Sequence, residues 1–174
     1  MFLPLALSTL FSIPTASFVH MEFVKTATTI ESFQSFQNIQ NVEYIDSHDG
    51  DTFTVNLPNL IPDVFGKKMP VRIRHIDTAE MNGKTPCEKE MAQKAKDVVA
   101  SLLKNAKKID LVDVGRDKYF RLLCSVNITT QTNENFDLSN YLMAEGFAVP
   151  YEGETKPKTD WCKLMQNLHK NKKG

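Results

Sequence analysis

Apolar and polar residues alternate along residues 52–57, the pattern of a half-buried strand. Its apolar positions fall on one face, and they are Phe53, Val55 and Leu57. Residues 42–47 alternate less strictly, and the Asp-Gly pair at 49–50 lies between the two segments. Because Asp-Gly favours the tight turns that join antiparallel strands, the pattern predicts a β-hairpin.

Residues 71–77 and 85–105 predict a third strand followed by a helix. Apolar and basic residues alternate from Val71 towards Asp77. Thr85-Pro86-Cys87-Glu88 contains a threonine cap, a proline at the first helical position and a glutamate three residues after the cap. Apolar residues at helical spacing extend the helix to about Asn105: Met91, Ala95, Val98, Leu102 and Ala106. Residues 58–70 contain three prolines and a glycine, and they predict an irregular connection.

Two more strands are predicted at 108–114 and 119–128, joined by residues 115–118. Asp137 is a candidate cap for a short helix that Gly146 ends in a left-handed conformation, and a last helix is predicted from about Thr159. This order is that of an OB-fold, a partly open five-stranded barrel. The sequence therefore predicts an α+β, mainly β fold. It would be a five-stranded OB-fold-like barrel with a helix between strands 3 and 4 and with C-terminal helices.

Composition indicates one folded domain with an extension at each end. Residues 1–19 contain no charged side chain, and their short apolar stretch precedes small residues, which predicts a secretory signal peptide and a secreted or periplasmic protein. An uncleaved anchor and a start at Met21 are the alternatives. Residues 20–41 are polar without a clear period and predict a linker or N-terminal arm. The domain is expected at 42–152, with a basic C-terminal helix or tail at 153–174.

Charge and cysteines narrow the interpretation only slightly. The 21 basic and 21 acidic residues cancel, so any case for nucleic-acid binding must rest on local clusters, which solvated surfaces also explain. Export would permit one disulfide, for which Cys87 and Cys162, at predicted helix starts, are the candidate pair. Cys124 lies in an apolar run and is expected to be buried and free. A monomer is expected, with no stable protein partner and no membrane span in the mature chain.

Two acidic segments stand where predicted strands begin or end. Asp51 follows the hairpin turn, and the segment from Asp77 to Glu80 ends the third strand. Calcium takes about six to eight oxygen ligands, so acids from two strand ends would supply part of a coordination shell, which water and a phosphate would complete. Each acid taken alone is equally well explained as a turn former or a strand cap.

Arginines near these acids suggest phosphate chemistry, because a planar guanidinium can pair with two phosphate oxygens. The candidates are Arg72, Arg74, Arg116 and Arg121. A surface role is the default interpretation for each of them. Strict alternation places Arg72 and Asp77 on opposite faces, so they can share a site only if the strand bulges or turns around His75 to Asp77.

Three segments together resemble, in order and spacing, the motifs of the staphylococcal nuclease (thermonuclease) family. They are DGDT at 49–52, VRIRHIDTAE at 71–80 and RDKYFR at 116–121, and the resemblance covers roughly residues 42–152. It implies that Asp51, Asp77 and the backbone carbonyl of Thr78 bind Ca²⁺. It also implies that Glu80 is the general base and that Arg72 and Arg121 hold the phosphate. Lys118 and Tyr119 match positions that contact a terminal phosphate, and Tyr151 falls near a base-stacking tyrosine.

The resemblance implies a Ca²⁺-dependent endonuclease that cuts DNA and RNA and leaves 3′-phosphate ends. The alternatives are a catalytically inactive nucleic-acid or protein-binding module on the same barrel, and a structural protein whose acidic segments are only turns. The chain departs from the family pattern at two positions: Ala79 replaces a proline, and Phe120 replaces a glycine. The connection at 58–70 is also longer, and the segment 81–85 shorter, than in the best-known member.

Overall fold

A computed structural model describes residues 38–58, 61–156 and 158–171, with side chains described as far as residue 168. The predicted signal peptide at 1–19 and the arm as far as residue 37 lie outside the described residues, as do residues 172–174. The described strands are β1 (Glu43–Ser47), β2 (Thr52–Asn56), β3 (Met69–Ile73), β4 (Ile76–Thr78), β5 (Lys108–Arg116), β6 (Leu122–Thr129), β7 (Asn135–Asp137) and β8 (Ala148–Pro150). The described helices are α1 (Asp63–Gly66), α2 (Pro86–Lys104), α3 (Leu138–Ala144) and α4 (Trp161–Asn171).

The described residues form a mixed α and β fold, mostly sheet, as predicted. They contain eight strands where five were predicted, because the predicted third strand breaks at Arg74 and His75 and short strands flank α3. Most of the strands belong to one large sheet. Its strands follow the order β1-β2-β3-β6-β5, with β7 beside β6, and β4 pairs with β8 in a separate two-stranded sheet. The predicted hairpin is β1 and β2, and the predicted helix lies between β4 and β5 in the chain. Each backbone N–H of Ile39 and Leu111 donates to the other residue's carbonyl over 2.8 Å. The chain is therefore tied to β5 three residues before the expected start of the domain.

The apolar faces predicted for the hairpin are buried, but the stripe of α2 differs from its prediction. Phe53 and Val55 are fully buried in the core. In α2 the buried residues are Met91, Ala92, Ala95, Val99 and Leu103. The predicted Val98, Leu102 and Ala106 are only partly buried. The second half of the predicted stripe was wrong by one position, because several apolar residues lie side by side there and spacing alone does not select the row that faces the sheet.

The helix ends are capped by the residues that the sequence indicates. The Thr85 hydroxyl accepts the backbone N–H of Glu88 over 3.3 Å at the start of α2. The Glu88 carboxylate accepts the backbone N–H of Lys84 (2.9 Å). In a standard capping box it would accept the N–H of the cap residue itself, Thr85. Asp137 caps α3 through its side chain, and Gly146 follows that helix with a φ of 76°, as predicted.

The C-terminal helix belongs to the core and is held by a disulfide. Trp161 and Met165 of α4 are buried. A disulfide joins Cys87 to Cys162 with Cα atoms 5.4 Å apart, which confirms the predicted pair, and it links the first turn of α2 to the first turn of α4. Cys124 is free and buried, as expected, and its burial raises the pKa of the thiol to about 12. Among the helices that the structure describes, none is long and apolar enough to cross a membrane.

Candidate active site

A cavity of about 730 Å³ lies beside the start of β2 and the end of β3, between the loop at 117–121 and the segment at 151–156. Seven of the nine residues to which the family resemblance assigns a role line it: Asp51, Arg72, Glu80, Lys118, Tyr119, Arg121 and Tyr151. Asp77 and Thr78 are buried directly beneath them in β4. The tertiary structure therefore brings together residues from four separate segments of the chain.

Arg72 reaches both acidic segments because the chain turns sharply after β3. His75 has a φ of 67°, and this left-handed residue separates β3 from β4. One terminal nitrogen of Arg72 lies 2.9 Å from Asp51 Oδ2 and 3.6 Å from Asp77 Oδ1. The guanidinium also donates to the carbonyls of Ile73 (3.0 Å) and Ile76 (2.9 Å). The turn that the sequence left open is present, and it holds the guanidinium in one place.

Asp51 is a buried carboxylate at the centre of the site. Its Oδ1 accepts from the Thr52 hydroxyl (3.0 Å), and its Oδ2 accepts from the Thr78 backbone N–H (3.2 Å). Burial disfavours the ionised form and raises the pKa of Asp51 to about 7, and the positive charge of Arg72 opposes this shift. A buried carboxylate beside a single arginine is a favourable place for additional positive charge.

Gly50 positions Asp51, because no side chain would fit at this point of the hairpin turn. A Cβ added to Gly50 would lie 2.7 Å from Ala95 Cβ and 3.0 Å from the Thr78 side chain. The close approach lets the turn pack against both α2 and β4. It therefore sets the distance between Asp51 and the acidic segment that follows Ile76.

Arg121 is presented by a loop built on Asp117. The Asp117 carboxylate accepts the backbone N–H groups of Tyr119 (2.8 Å) and Arg121 (3.0 Å) and the Arg121 Nε (2.7 Å). Burial opposes ionisation of Asp117, but these hydrogen bonds outweigh it, and the pKa of Asp117 is lowered. Arg121 also donates to the Thr52 hydroxyl over 3.3 Å. The Thr52 hydroxyl in turn donates to Asp51, which contacts Arg72. Thr52 and Asp51 therefore connect the two arginines.

Phe120 adopts a left-handed backbone conformation, which favours glycine. Glycine is common at this position in the family. The φ of Phe120 is 64°, and its carbonyl accepts from Arg116 over 2.9 Å. The loop therefore forms without the glycine, with the Phe120 side chain mostly exposed. Ala79, the other departure from the family pattern, is fully buried between Thr78 and Glu80.

Glu80 lies at the exposed edge of the site and is bound by a lysine that the sequence placed only in the basic tail. The Lys156 ammonium lies 2.9 Å from Asp77 Oδ1 and contacts Glu80 Oε1. Burial would lower the pKa of Lys156, but hydrogen bonds to Glu80 and Asp77 outweigh it and raise that pKa. Lys156 is 76 residues from Glu80, so no local pattern indicates the contact.

Two tyrosines and a lysine border the cavity. Tyr119 is mostly exposed, with Lys118 Nζ 5.2 Å and Arg121 Cζ 5.4 Å from the centre of its ring. Tyr151 donates its backbone N–H to the His75 carbonyl over 3.0 Å. Aromatic rings beside positive charges form a surface suited to bases and phosphates.

Some residues that matter for this geometry were missed, and two candidate arginines serve other contacts. The missed residues are Thr52 and Asp117. Both lie inside the recognised motifs, and their position near Asp51 and Arg121 was the signal that could have identified them. Arg74 donates to the carbonyls of Asp113 (2.8 Å) and Leu123 (3.0 Å). Arg116 donates to the Phe120 carbonyl. Arg72 and Arg121 connect to Asp51, whereas Arg74 lines the same cavity without a described contact to that acid.

The donor atoms at the acidic cluster suit a hard cation bound in part by water and substrate. Within the residues that the structure describes, no group of three or more Asp, Glu, His or Cys side chains could hold a metal ion by itself. Asp51, Asp77 and the Thr78 carbonyl offer only oxygen ligands, fewer than the six or more that Ca²⁺ takes. The Lys156 ammonium at Asp77 and Glu80 indicates that this edge accepts positive charge. The residues thus fit a weakly bound Ca²⁺.

The sheet and the acid and arginine cluster define a nuclease-like domain. A family model described as Staphylococcal nuclease homologue matches residues 70–174, more than half of the chain. The chain belongs to this family, as the motifs predicted. The matched segment contains Arg72, Asp77, Glu80 and Arg121, whereas Asp51 precedes it. A search of curated proteins finds no match to the chain.

Proposed function

We propose that this protein is a Ca²⁺-dependent endonuclease that hydrolyses phosphodiester bonds of DNA and RNA and leaves 3′-phosphate ends. One observation carries the proposal: two arginines connect to Asp51 from different segments, Arg72 directly and Arg121 through Thr52, with Glu80 on the same cavity. Membership of the nuclease family supports the class of reaction.

Asp51, Asp77 and the Thr78 carbonyl would hold the Ca²⁺ ion. When bound, the ion supplies positive charge that stabilises the phosphate as negative charge develops on it. The Thr78 N–H donates to Asp51 Oδ2, and this contact keeps the two acidic segments together. Burial of both aspartates strengthens their attraction for a cation, because little water surrounds them.

Glu80 is the proposed general base. Its side chain is half exposed, so water can reach it, whereas Asp51 and Asp77 are buried. Glu80 takes a proton from a water molecule as the water oxygen bonds to phosphorus. The P–O5′ bond breaks, the 5′ oxygen takes a proton from solvent, and the phosphate stays on the 3′ end. A positioned base contributes about 10² to 10⁴ in rate.

Arg72 and Arg121 are proposed to bind the phosphate and to stabilise its transition state. Each guanidinium is held in place before substrate binds, Arg72 by two carbonyls and Arg121 by Asp117. Donors fixed in advance need not reorganise as the reaction proceeds, and one such donor is worth on the order of 10² to 10³ in rate.

Lys118, Tyr119 and Tyr151 are the proposed nucleotide-binding residues. Lys118 and Tyr119 would contact a terminal phosphate, and Tyr151 would stack on a base.

The proposed domain is a monomeric OB-fold barrel, and the hydrogen bonds between Ile39 and Leu111 support its closure on the β5 side. A secreted or periplasmic location is proposed from the uncharged apolar segment at 1–19, and the Cys87–Cys162 disulfide supports it, because disulfides persist mainly in oxidising compartments.

An inactive nucleic-acid-binding module is the competing function. One observation favours it: the Lys156 ammonium contacts both Asp77, a proposed metal ligand, and Glu80, the proposed base. The complete set of acids and arginines opposes it, since such a module has no need of a general base.

End-group analysis of digested DNA distinguishes the two functions. We expect cutting in Ca²⁺ that leaves 3′-phosphate ends and stops when a chelator is added. Binding of DNA without cleavage would support the inactive module. Cleavage that leaves 5′-phosphates would contradict the proposed mechanism.

A further inference from the structure

The contact between Lys156 and the acidic edge goes beyond what the nuclease site requires. Arg72 already lies 2.9 Å from Asp51, so that acid has its own positive partner. Arg72 lies farther from Asp77, at 3.6 Å, whereas the Lys156 ammonium lies at 2.9 Å from the same oxygen, Oδ1, and also contacts Glu80. The positive charge nearer to Asp77 therefore comes from Lys156 and not from Arg72.

The segment that carries Lys156 is fixed to the turn beside Asp77. Tyr151 donates its backbone N–H to the His75 carbonyl over 3.0 Å, and Glu152 pairs with the His75 ring over 2.8 Å. The Tyr151 hydroxyl donates to the Glu154 carbonyl, which closes the segment on itself. These contacts keep Lys156 within reach of the acids.

The ammonium itself is free to leave. The Lys156 side chain is 50% exposed, so the charge is already partly in water and sits at the end of four flexible carbons. Gly153, three residues earlier, has a φ of 93° and open space around its Cβ position. Withdrawal of the ammonium requires rotation of one side chain and no change in the sheet.

We propose that Lys156 is an internal cation of the site, which occupies the edge between Asp77 and Glu80 until a divalent cation binds. The proposal rests on the proposed function in one respect, that the metal binds Asp77. An ion that needs Asp77 must compete with the ammonium already there, so Lys156 weakens metal binding. It thereby sets the metal concentration at which Glu80 is released to act as the base.

Calorimetric titration of the purified full chain with Ca²⁺, without nucleic acid, tests this. We expect Lys156→Gln to bind Ca²⁺ roughly tenfold more tightly than the wild type, because one competing ion pair is removed. Lys156→Arg keeps the charge and should bind as weakly as the wild type. Lys158→Gln, which removes an exposed lysine two residues away, is the matched control for net charge and should also leave the affinity unchanged.

The outcomes separate this inference from the proposed function. Equal or weaker Ca²⁺ binding by Lys156→Gln, with wild-type binding intact, overturns the role of Lys156 alone. If neither protein binds Ca²⁺, the inference is overturned, whereas the metal requirement of the proposed function is tested separately by DNA cleavage in Ca²⁺ with and without a chelator. Asp77→Asn should abolish binding in either background, and retained binding would place the metal elsewhere. The unfolding temperature of each metal-free variant verifies that it is folded.

Discussion

Arg72 Nη2 lies 3.6 Å from Asp77 Oδ1, although the two residues are an odd number of residues apart along the chain. A continuous strand would place them on opposite faces. The left-handed conformation of His75 ends β3 and restarts the chain as β4, which removes the conflict. One backbone angle thus brings the arginine and the acid together.

This geometry predicts that the shape of residue 75 matters more than its charge. His75→Gly should stay within about 1 kcal/mol of the wild-type free energy of unfolding, because glycine adopts positive φ readily. His75→Val should lose about 1–2 kcal/mol and most nuclease activity, because a β-branched residue disfavours this conformation. Urea unfolding and a DNA-cleavage assay measure both effects. Glu152→Gln controls for the contact between Glu152 and the His75 ring, and equal behaviour of the glycine and valine variants would contradict the argument.

Replacement of the proposed base should remove activity without unfolding the protein. Glu80→Gln is expected to lower kcat by about 10² to 10⁴ at saturating Ca²⁺. Glu134→Gln, at an exposed glutamate of the turn before β7, is the matched control and should retain full activity. Lys156→Gln should not reproduce the loss, which separates the base from its contact with the lysine. Wild-type turnover by Glu80→Gln would show that another group accepts the proton.

Asp117 is predicted to act by positioning Arg121. Asp117→Asn weakens the contact to Arg121 Nε, so kcat should fall by about tenfold with little change in KM, because the lost interaction matters most in the transition state. Asp46→Asn, at an exposed position in β1, is the control. Unchanged kcat would show that Arg121 is held without Asp117.

The same variant should show a defined pH dependence of stability. The folded-state pKa of Asp117 is lowered below its ordinary value of 3.8, so its contribution to stability is present above that pH and is lost as pH falls through the lowered pKa. The difference in unfolding free energy between wild type and Asp117→Asn should therefore be constant from about pH 7 to pH 5 and shrink below about pH 4. A difference that grows in acid would contradict the assigned shift.

The disulfide should contribute strongly to stability, because it joins residues 75 positions apart. Cys87→Ser combined with Cys162→Ser is expected to lower the free energy of unfolding by about 2–4 kcal/mol, mainly by releasing the unfolded chain. Denaturant unfolding measures the loss. Alkylation of the unreduced, denatured wild type should modify only Cys124, and modification of all three cysteines would show that the bond is absent.

Local patterns in the chain were sufficient to locate the main strands, α2 and most of the candidate site. Thr85, Asp137 and Gly146 act on neighbouring backbone groups, so their roles are visible in a few residues of sequence. The family motifs singled out Asp51, Asp77, Arg72 and Arg121, and the fold brings these residues together, while their roles stay predictions. The cysteine pair followed from the two predicted helix starts.

Contacts between distant segments could be found only in the folded chain. The row of α2 that faces the sheet depends on which of several adjacent apolar residues meets the strands, and periodicity does not decide between neighbouring rows. His75 is not a glycine, and the sequence carries no strong local signal for a left-handed conformation at such a residue. Lys156 reaches Asp77 and Glu80 because the segment after β8 is tied to the turn after β3. Such a contact has no sequence pattern, since it depends on the path of the whole chain.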